Sequence, residues 1–199
     1  MFYDRQDIVA LISSRICHDL ISPLGAISNG IELLEMAGLA KGPEMELISQ
    51  SITNANSKIR FFRVAYGNAP RGTTLDRSEI NSVLEDYFQG GRVSAKWHSE
   101  IKAQRTDIKL IFLAIQCVET ALPYGGVIDV SLVGKEWVIR AENPKLKITQ
   151  EHWALLEGQD IGGELLASQV QFGMLAMLCE WRKPALSLTR QENLIEIRL

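Results

Sequence analysis

The chain has 199 residues, 46% of them hydrophobic, and a formal net charge of −3. That length allows one sizeable core or two small domains, and the charge is neither the basic footprint of a nucleic-acid binder nor an acidic tail. The three cysteines, Cys17, Cys117 and Cys179, lie far apart and outside any CxxC or Cys/His cluster, so they read as reduced thiols rather than disulfides or metal ligands.

The opening MFYDRQD offers neither the basic nor the apolar segment of a signal peptide. No apolar run approaches the roughly 20 residues that cross a bilayer. The expectation is a cytoplasmic protein. Ile8, Ile12, Ile16, Leu20, Leu24, Ile27, Ile31 and Leu34 recur every three or four residues, one apolar stripe on a long helix. Gly38, Gly42 and Pro43 break it. A second stripe follows in Ile48, Ile52, Ala55, Ile59, Phe62 and Tyr66. Two long stripes around a breaker predict an antiparallel helical hairpin. A hairpin alone buries too little surface to be stable, so pairing with a second copy into a four-helix bundle is the expected solution.

Residues 67–75, GNAPRGTTL, read as a linker, dividing a hairpin over 1–70 from a domain over 71–199. Asp76 with Glu79 makes a capping box before Ile80, Val83, Leu84, Tyr87 and Phe88. Val93, Ala95 and Trp97 alternate as in a strand. Thr106 is placed to cap a helix through Ile108, Ile111, Phe112, Ile115 and Val118. Strands near 127–133 and 136–141 join at Gly134–Lys135. Helices near 150–157 and 163–182 precede a terminal hairpin, 185–190 with 193–199. The fold class is α+β, with an antiparallel or mixed sheet covered by helices on one face.

Within the first helix, His18, Ser22, Gly25, Asn29 and Glu32 follow one another at helical spacing as a second, polar stripe. His18 lies about 200° around from Ile16, away from the apolar stripe. A neutral exposed imidazole keeps a free lone pair and is a competent nucleophile. Asp19 beside it can hold the other ring nitrogen as N–H and stabilise the cation that forms. Pro23 removes the N–H that would bond residue 19 and loosens that turn. Gly25 leaves room for another backbone to approach. The alternative at this point is a solvated surface histidine and a tolerated kink.

HDLISPL, residues 18–24, resembles the H-box of two-component sensor kinases. That family joins a dimeric two-helix bundle, which carries the phospho-accepting histidine, to an ATP-binding α/β sandwich. The order of elements here is similar. The resemblance makes His18 the phosphorylated residue and Asp19 its acid/base partner, with Ser22 and Pro23 completing the motif. It fails where ATP binds. IFLAIQCVETALPYGG has Gln116 and Thr120 where the kinases carry two asparagines. VIRAENPKLKI has Glu142, Asn143 and Pro144 in place of a glycine-bearing loop, and LLASQVQFGMLAML lacks the last glycine motif. A phosphate cradle needs backbone N–H groups in glycine-permitted geometry.

A histidine site without an ATP site is the pattern of the ChpT-type histidine phosphotransferases, which SRICHDLISPLGAISNGIELLE also resembles. The resemblance implies a homodimeric phosphotransferase that relays a phosphoryl group between aspartates of response-regulator receiver domains. The donor would be a hybrid-kinase receiver and the acceptor a response regulator. The degenerate sandwich would help hold the receiver and bind no nucleotide. Arg15, Ser22, Pro23, Gly25, Asn29 and Glu32 are the candidate docking residues. No cofactor or metal belongs to this chain, and Mg2+ is expected in the receiver's acidic pocket. The other readings are an ATP-dependent kinase with a divergent site and a non-catalytic dimeric scaffold.

Overall fold

The structure is a computed structural model. It describes residues 12, 15, 16, 19, 20, 23, 25–27, 29, 30, 33, 34, 36, 42–67, 72–148, 150–159, 162, 164–182 and 186–199. The described residues from 12 to 36 are all helical and are called the N-terminal helix here. His18, Ser22 and Glu32, like Ile8 and Leu24 of the first apolar stripe, lie outside the described residues.

Helix α1 (Pro43–Ala65) begins with proline at its first position, where no N–H is required, and carries Glu44 and Glu46 in its first turn. Its expected stripe divides. Ile48, Ala55, Phe62 and Tyr66 are buried, while Ile52 and Ile59 are exposed. Gly30 of the N-terminal helix is buried beside it, so close that an added Cβ would stand 2.5 Å from Ile48 Cγ1.

Part of the expected linker is strand. Thr74–Leu75 (β1) pairs antiparallel with Ala103–Gln104 (β3). Next comes helix α2 (Arg77–Phe88), and its capping box is complete. Asp76 Oδ1 accepts from the Glu79 backbone N–H at 3.0 Å, and the Asp76 N–H donates to Glu79 Oε2 at 2.9 Å. Strand β2 spans Val93–Trp97. Helix α3 (Arg105–Thr120) starts one residue before the expected cap, and Thr106 lies inside it. The reason is the strand before it: β3 runs directly into the helix, and the Arg105 N–H already bonds the Thr73 carbonyl at 2.8 Å.

The Arg105 side chain is thereby free to serve another helix. Its Nη1 donates to the Val64 carbonyl at 2.8 Å and its Nη2 to the Arg63 carbonyl at 2.7 Å. One turn on, Lys109 Nζ donates to the carbonyls of Tyr66 and Gly67 at 3.0 and 2.9 Å. The carbonyls at the end of α1, which have no intrahelical partner, are thus capped by two cations from α3.

Strands β4 (Gly126–Val133) and β5 (Glu136–Glu142) form the expected hairpin. Helix α4 spans Gln150–Leu156. The helix expected over 163–182 begins later, as a 3-10 turn (Ala167–Gln169) leading into α5 (Val170–Arg182). Leu166 is extended, and its N–H is taken by Gln169 Oε1 at 3.2 Å, which fixes the start there. Strands β6 (Ser187–Gln191) and β7 (Leu194–Arg198) close the chain.

The main sheet has the order β2-β4-β5-β7-β6, with β2 parallel to β4 and the other pairs antiparallel. It is therefore mixed. The register puts Trp97, Val130, Ile139, Ile197 and Leu188 in one row, and Ala95, Ile128, Ala141 and Ile195 on the same face. That face enters the core. The opposite face presents Lys96, Asp129, Arg140 and Glu196 side by side across four strands. Helix α3 is buried almost all round from Leu110 to Val118, as a helix apolar on every side must be. An aromatic cluster joins it to α1 and α2. Phe61 stacks on Tyr87 at 3.9 Å between ring centroids and lies 4.8 Å from Phe112.

Removal of the Arg105 fork is expected to strip two carbonyls of charged donors while keeping most of the stem. Arg105→Met should lower stability by about 1.5–3 kcal/mol, read from urea midpoints. Arg105→Lys should recover part of the loss, and an unchanged midpoint in Arg105→Met would refute the capping role.

Candidate active site

The N-terminal helix presents two faces. Gly25 and Asn29 are exposed, and a Cβ added at Gly25 would meet nothing within 4 Å. Nothing in the described residues of this chain therefore requires glycine there. Arg15, Asp19 and Pro23 are each partly buried and turn toward the rest of the chain. Of the four candidate docking residues among the described residues, Gly25 and Asn29 are exposed while Arg15 and Pro23 are partly buried. Pro23 and Ala26 line a polar cleft of about 390 Å3, with Ser51, Asn54 and Lys58 of α1 and Tyr87 of α2 on its other walls.

Arg15 and Asp19, one turn apart, are joined by a hydrogen-bonded ion pair, Arg15 Nε donating to Asp19 Oδ2 at 2.8 Å. Arg15 Nη1 also reaches the Ser168 carbonyl at 3.5 Å, a long contact to the turn before α5. Ile12 and Ile16, on the same side, pack against the core. The helix is therefore anchored to the remainder of the chain at the turn that holds Asp19.

Helix α3 carries a polar pair, Gln116 and Glu119, of which only Gln116 stood out in the sequence. The Tyr66 hydroxyl donates to Gln116 Oε1 at 2.7 Å, and the Tyr87 hydroxyl donates to Glu119 Oε2 at 3.4 Å. Gln116 and Glu119 are thus each met by a phenol from another helix. Burial pushes both phenols well above their ordinary range. Burial also pushes the Glu119 carboxyl up to about 7, against the opposing pull of Arg15. The available signal was Gln116 and Glu119 three residues apart on an otherwise apolar helix, a pair that must share one face.

The residues at the kinase nucleotide positions are all engaged within the chain. Besides Gln116, Thr120 Oγ1 donates to the Cys117 carbonyl at 2.7 Å. Asn143 Nδ2 donates to the Gly125 carbonyl at 3.0 Å, its Oδ1 accepts from the Lys145 N–H, and the Lys147 N–H bonds the Ala121 carbonyl at 3.0 Å. The loop after β5 is thereby tied to the end of α3. Glu142 pairs with Arg140. Among the described residues, no group of three or more His, Cys, Asp or Glu side chains is placed to hold a metal ion. No helix among them is long and apolar enough to cross a membrane.

Comparison with known proteins agrees with this geometry. Residues 77–193 match the family described as histidine phosphotransferase C-terminal domain. The chain is 34% identical over 158 residues to the protein phosphotransferase ChpT of Brucella abortus (strain 2308), covering 76% of this chain and 75% of that protein. A solved structure described as a bacterial phosphotransferase overlays with a TM-score of 0.83 at 28% identity, covering 100% of this chain and 98% of the other. The chain belongs to the ChpT-type histidine phosphotransferases, enzymes that pass a phosphoryl group along a phosphorelay.

Proposed function

We infer that the phosphoryl group is carried on His18, between aspartates of two receiver domains and without nucleotide. The observation that favours transfer over an ATP-dependent kinase is that Gln116, Thr120 and Asn143 are each hydrogen-bonded within the chain. These side chains are committed to partners inside the chain rather than turned to a phosphate. The sandwich over 71–199 is read as a degenerate ATPase-like domain that helps hold the receiver.

A ring nitrogen of His18 attacks the phosphorus of an aspartyl phosphate in line. The N–P bond forms as the acyl O–P bond breaks, and the carboxylate stays with the donor receiver. The second transfer runs this chemistry in reverse onto the acceptor's aspartate. Such reactions need chiefly position and charge. Asp19 is read as the partner that orients the imidazole and stabilises its cation, with Arg15 fixing Asp19 in turn. Magnesium is read as arriving in the receiver's acidic pocket.

Gly25 and Asn29, exposed on one helical face, support a docking floor that Ser22 and Glu32 complete by spacing. Glycine in a helix costs about 1 kcal/mol against alanine. The open surroundings of Gly25 leave close approach of a partner helix as the reason for it. Pro23 and Arg15 belong to this surface only through the cleft and the ion pair beneath it.

The homodimer and its four-helix bundle are supported by apolar residues that the single chain leaves uncovered. Met45, Ile52 and Ile59, each seven residues apart on α1, are 44–45% exposed, and Leu33 and Met36 of the N-terminal helix are exposed as well. Such a stripe suits a second copy of the 1–70 hairpin. An antiparallel hairpin is supported by the order of neighbours. Gly30 lies against Ile48, and Arg15 acts on the phenol of Tyr66. Buried free thiols at Cys117 and Cys179 suit a cytoplasmic setting.

His18→Gln should accept no label from a phosphorylated receiver while remaining dimeric by light scattering; label on the variant would place the acceptor elsewhere. Calorimetry with ATP and millimolar magnesium should give no saturable heat, and micromolar binding would revive the kinase reading. Gly25→Leu should slow transfer from every receiver by about tenfold or more, the scale of a small misplacement of reacting groups, while raising the melting temperature. Normal transfer in that variant would remove the docking floor from this face.

A further inference from the structure

Between the end of α1, the first half of α2, β1 and the start of α3 lies a cleft of about 440 Å3 that the transfer chemistry above leaves unused. Three guanidinium groups line it, those of Arg60, Arg63 and Arg105, against one carboxylate among the described residues, Glu79. The whole chain carries a formal charge of −3, so this concentration of positive charge runs against its composition. Val64, Leu75 and Val83 contribute apolar surface. A cleft of that size, with apolar walls and a few placed polar groups, has the make-up of a small-molecule site.

The partners of these charges decide what the cleft can take. Arg60 is paired with Asp86, which itself lines the neighbouring cleft beside Pro23. Glu79 is held in the capping box of α2, its Oε2 accepting the Asp76 N–H at 2.9 Å. Arg105 is forked onto two carbonyls of α1, one of them that of Arg63 at 2.7 Å. Those bonds leave it further N–H groups to offer. Arg63 is exposed, and its side chain makes no hydrogen bond or ion pair among the described residues. Burial, and then the charge of Arg63, hold the Arg105 guanidinium below its ordinary range. The two cations thus bear on each other, and no carboxylate among the described residues pairs with either.

Two neighbouring cations without a counter-charge, one of them fixed by its own hydrogen bonds, match a dianion. A phosphate monoester carries a charge of about −1.5 to −2 near neutrality and three strong acceptor oxygens. Guanidinium groups grip such oxygens in pairs. Ser82 Oγ accepts from Arg60 Nη2 at 3.4 Å and keeps its own O–H to donate. A carboxylate or a sulfate ester has a single charge and leaves one cation unmet. A triphosphate brings more negative charge than the two cations meet, on a wall that already holds Glu79.

We propose that this cleft binds a small phosphate monoester, its phosphate held between Arg63 and Arg105 and its organic part laid on Val64, Leu75 and Val83. Among the described residues no His, Cys or Lys lines the cleft, so the ligand is bound there and not consumed. The site is distinct from the phosphotransfer helix, none of whose described residues lines it. The proposal therefore stands whether or not His18 is the acceptor.

Phenyl phosphate, titrated into the full-length chain by calorimetry at low salt, is the probe. Binding should saturate with a dissociation constant on the order of 0.1–1 mM and weaken as salt is raised. Arg63→Gln should weaken it by roughly tenfold, the loss of charge-assisted hydrogen bonds. That side chain has no partner to lose, so the variant should melt with the wild type. Phenyl sulfate and benzoate, with a single charge on the same ring, should bind more weakly. His18→Gln should bind the probe as the wild type does. Heat that does not saturate by about 10 mM, or affinity unchanged by Arg63→Gln, would overturn the proposal. Equal binding of the singly charged analogues would overturn the choice of a phosphate monoester, and loss of binding in His18→Gln would move the ligand to the phosphotransfer helix.

Discussion

Helix α3 is apolar around nearly its whole circumference, and from that constraint the rest of the architecture follows. A helix of this kind cannot face water on any side. The sheet covers one flank with Ile128, Val130, Ile139, Ala141, Ile195 and Ile197, while α1, α2 and α5 cover the others. Its two ends are where polar chemistry is allowed. At the first turn, Arg105 and Lys109 cap α1. Near the last, Gln116 meets Tyr66 of the α1 end and Glu119 meets Tyr87 of α2. Both ends therefore bind the helical arm to the α/β portion, and the arm is oriented by groups whose desolvation is already compensated.

The same arrangement engages residues that the resemblance to sensor kinases sets at nucleotide positions. Gln116, set by that resemblance against a kinase asparagine, here accepts from the buried phenol of Tyr66. Asn143 ties the loop after β5 to the turn after α3. Both side chains are engaged within the chain. Replacing one would leave its partner unpaired, which costs more than the missing bond.

What the sequence disclosed and what it hid divide along physical lines. The capping box at Asp76 and Glu79 and the turn at Gly134–Lys135 were legible because each is decided by neighbours a few residues away. A sheet covered by helices on one face was legible from the order of helices and hairpins, but the choice between antiparallel and mixed was not, because the parallel pairing of β2 with β4 joins segments on either side of α3. Strand β1 was hidden inside a Gly- and Thr-rich stretch, since its only pairing is with Ala103–Gln104, far along the chain. The start of α3 moved off Thr106 for the same reason, and the delayed start of α5 depends on a side chain bonding back to Leu166. At the site, helical spacing picked out the polar stripe and Asp19. It could not separate Gly25 and Asn29 from Arg15 and Pro23, nor pair Glu119 with Tyr87, because both depend on how helices from distant segments are set against one another.

The row Lys96, Asp129, Arg140 and Glu196, on the face opposite the core, has a bearing on how the sheet finds its pairing. A slip of one residue between strands would turn Arg140 inward and Ile139 outward, and the buried face forbids it. A slip of two residues preserves that alternation, so the core does not oppose it in the same way. In one direction such a slip would set Glu142 against Asp129 between β4 and β5. Between β5 and β7 it would set Glu142 against Glu196 and Arg140 against Arg198. Like charges directly opposite one another are destabilising. The outer face thus acts as a parity check on the inner one, rejecting the misregistered sheets that hydrophobic patterning alone would pass.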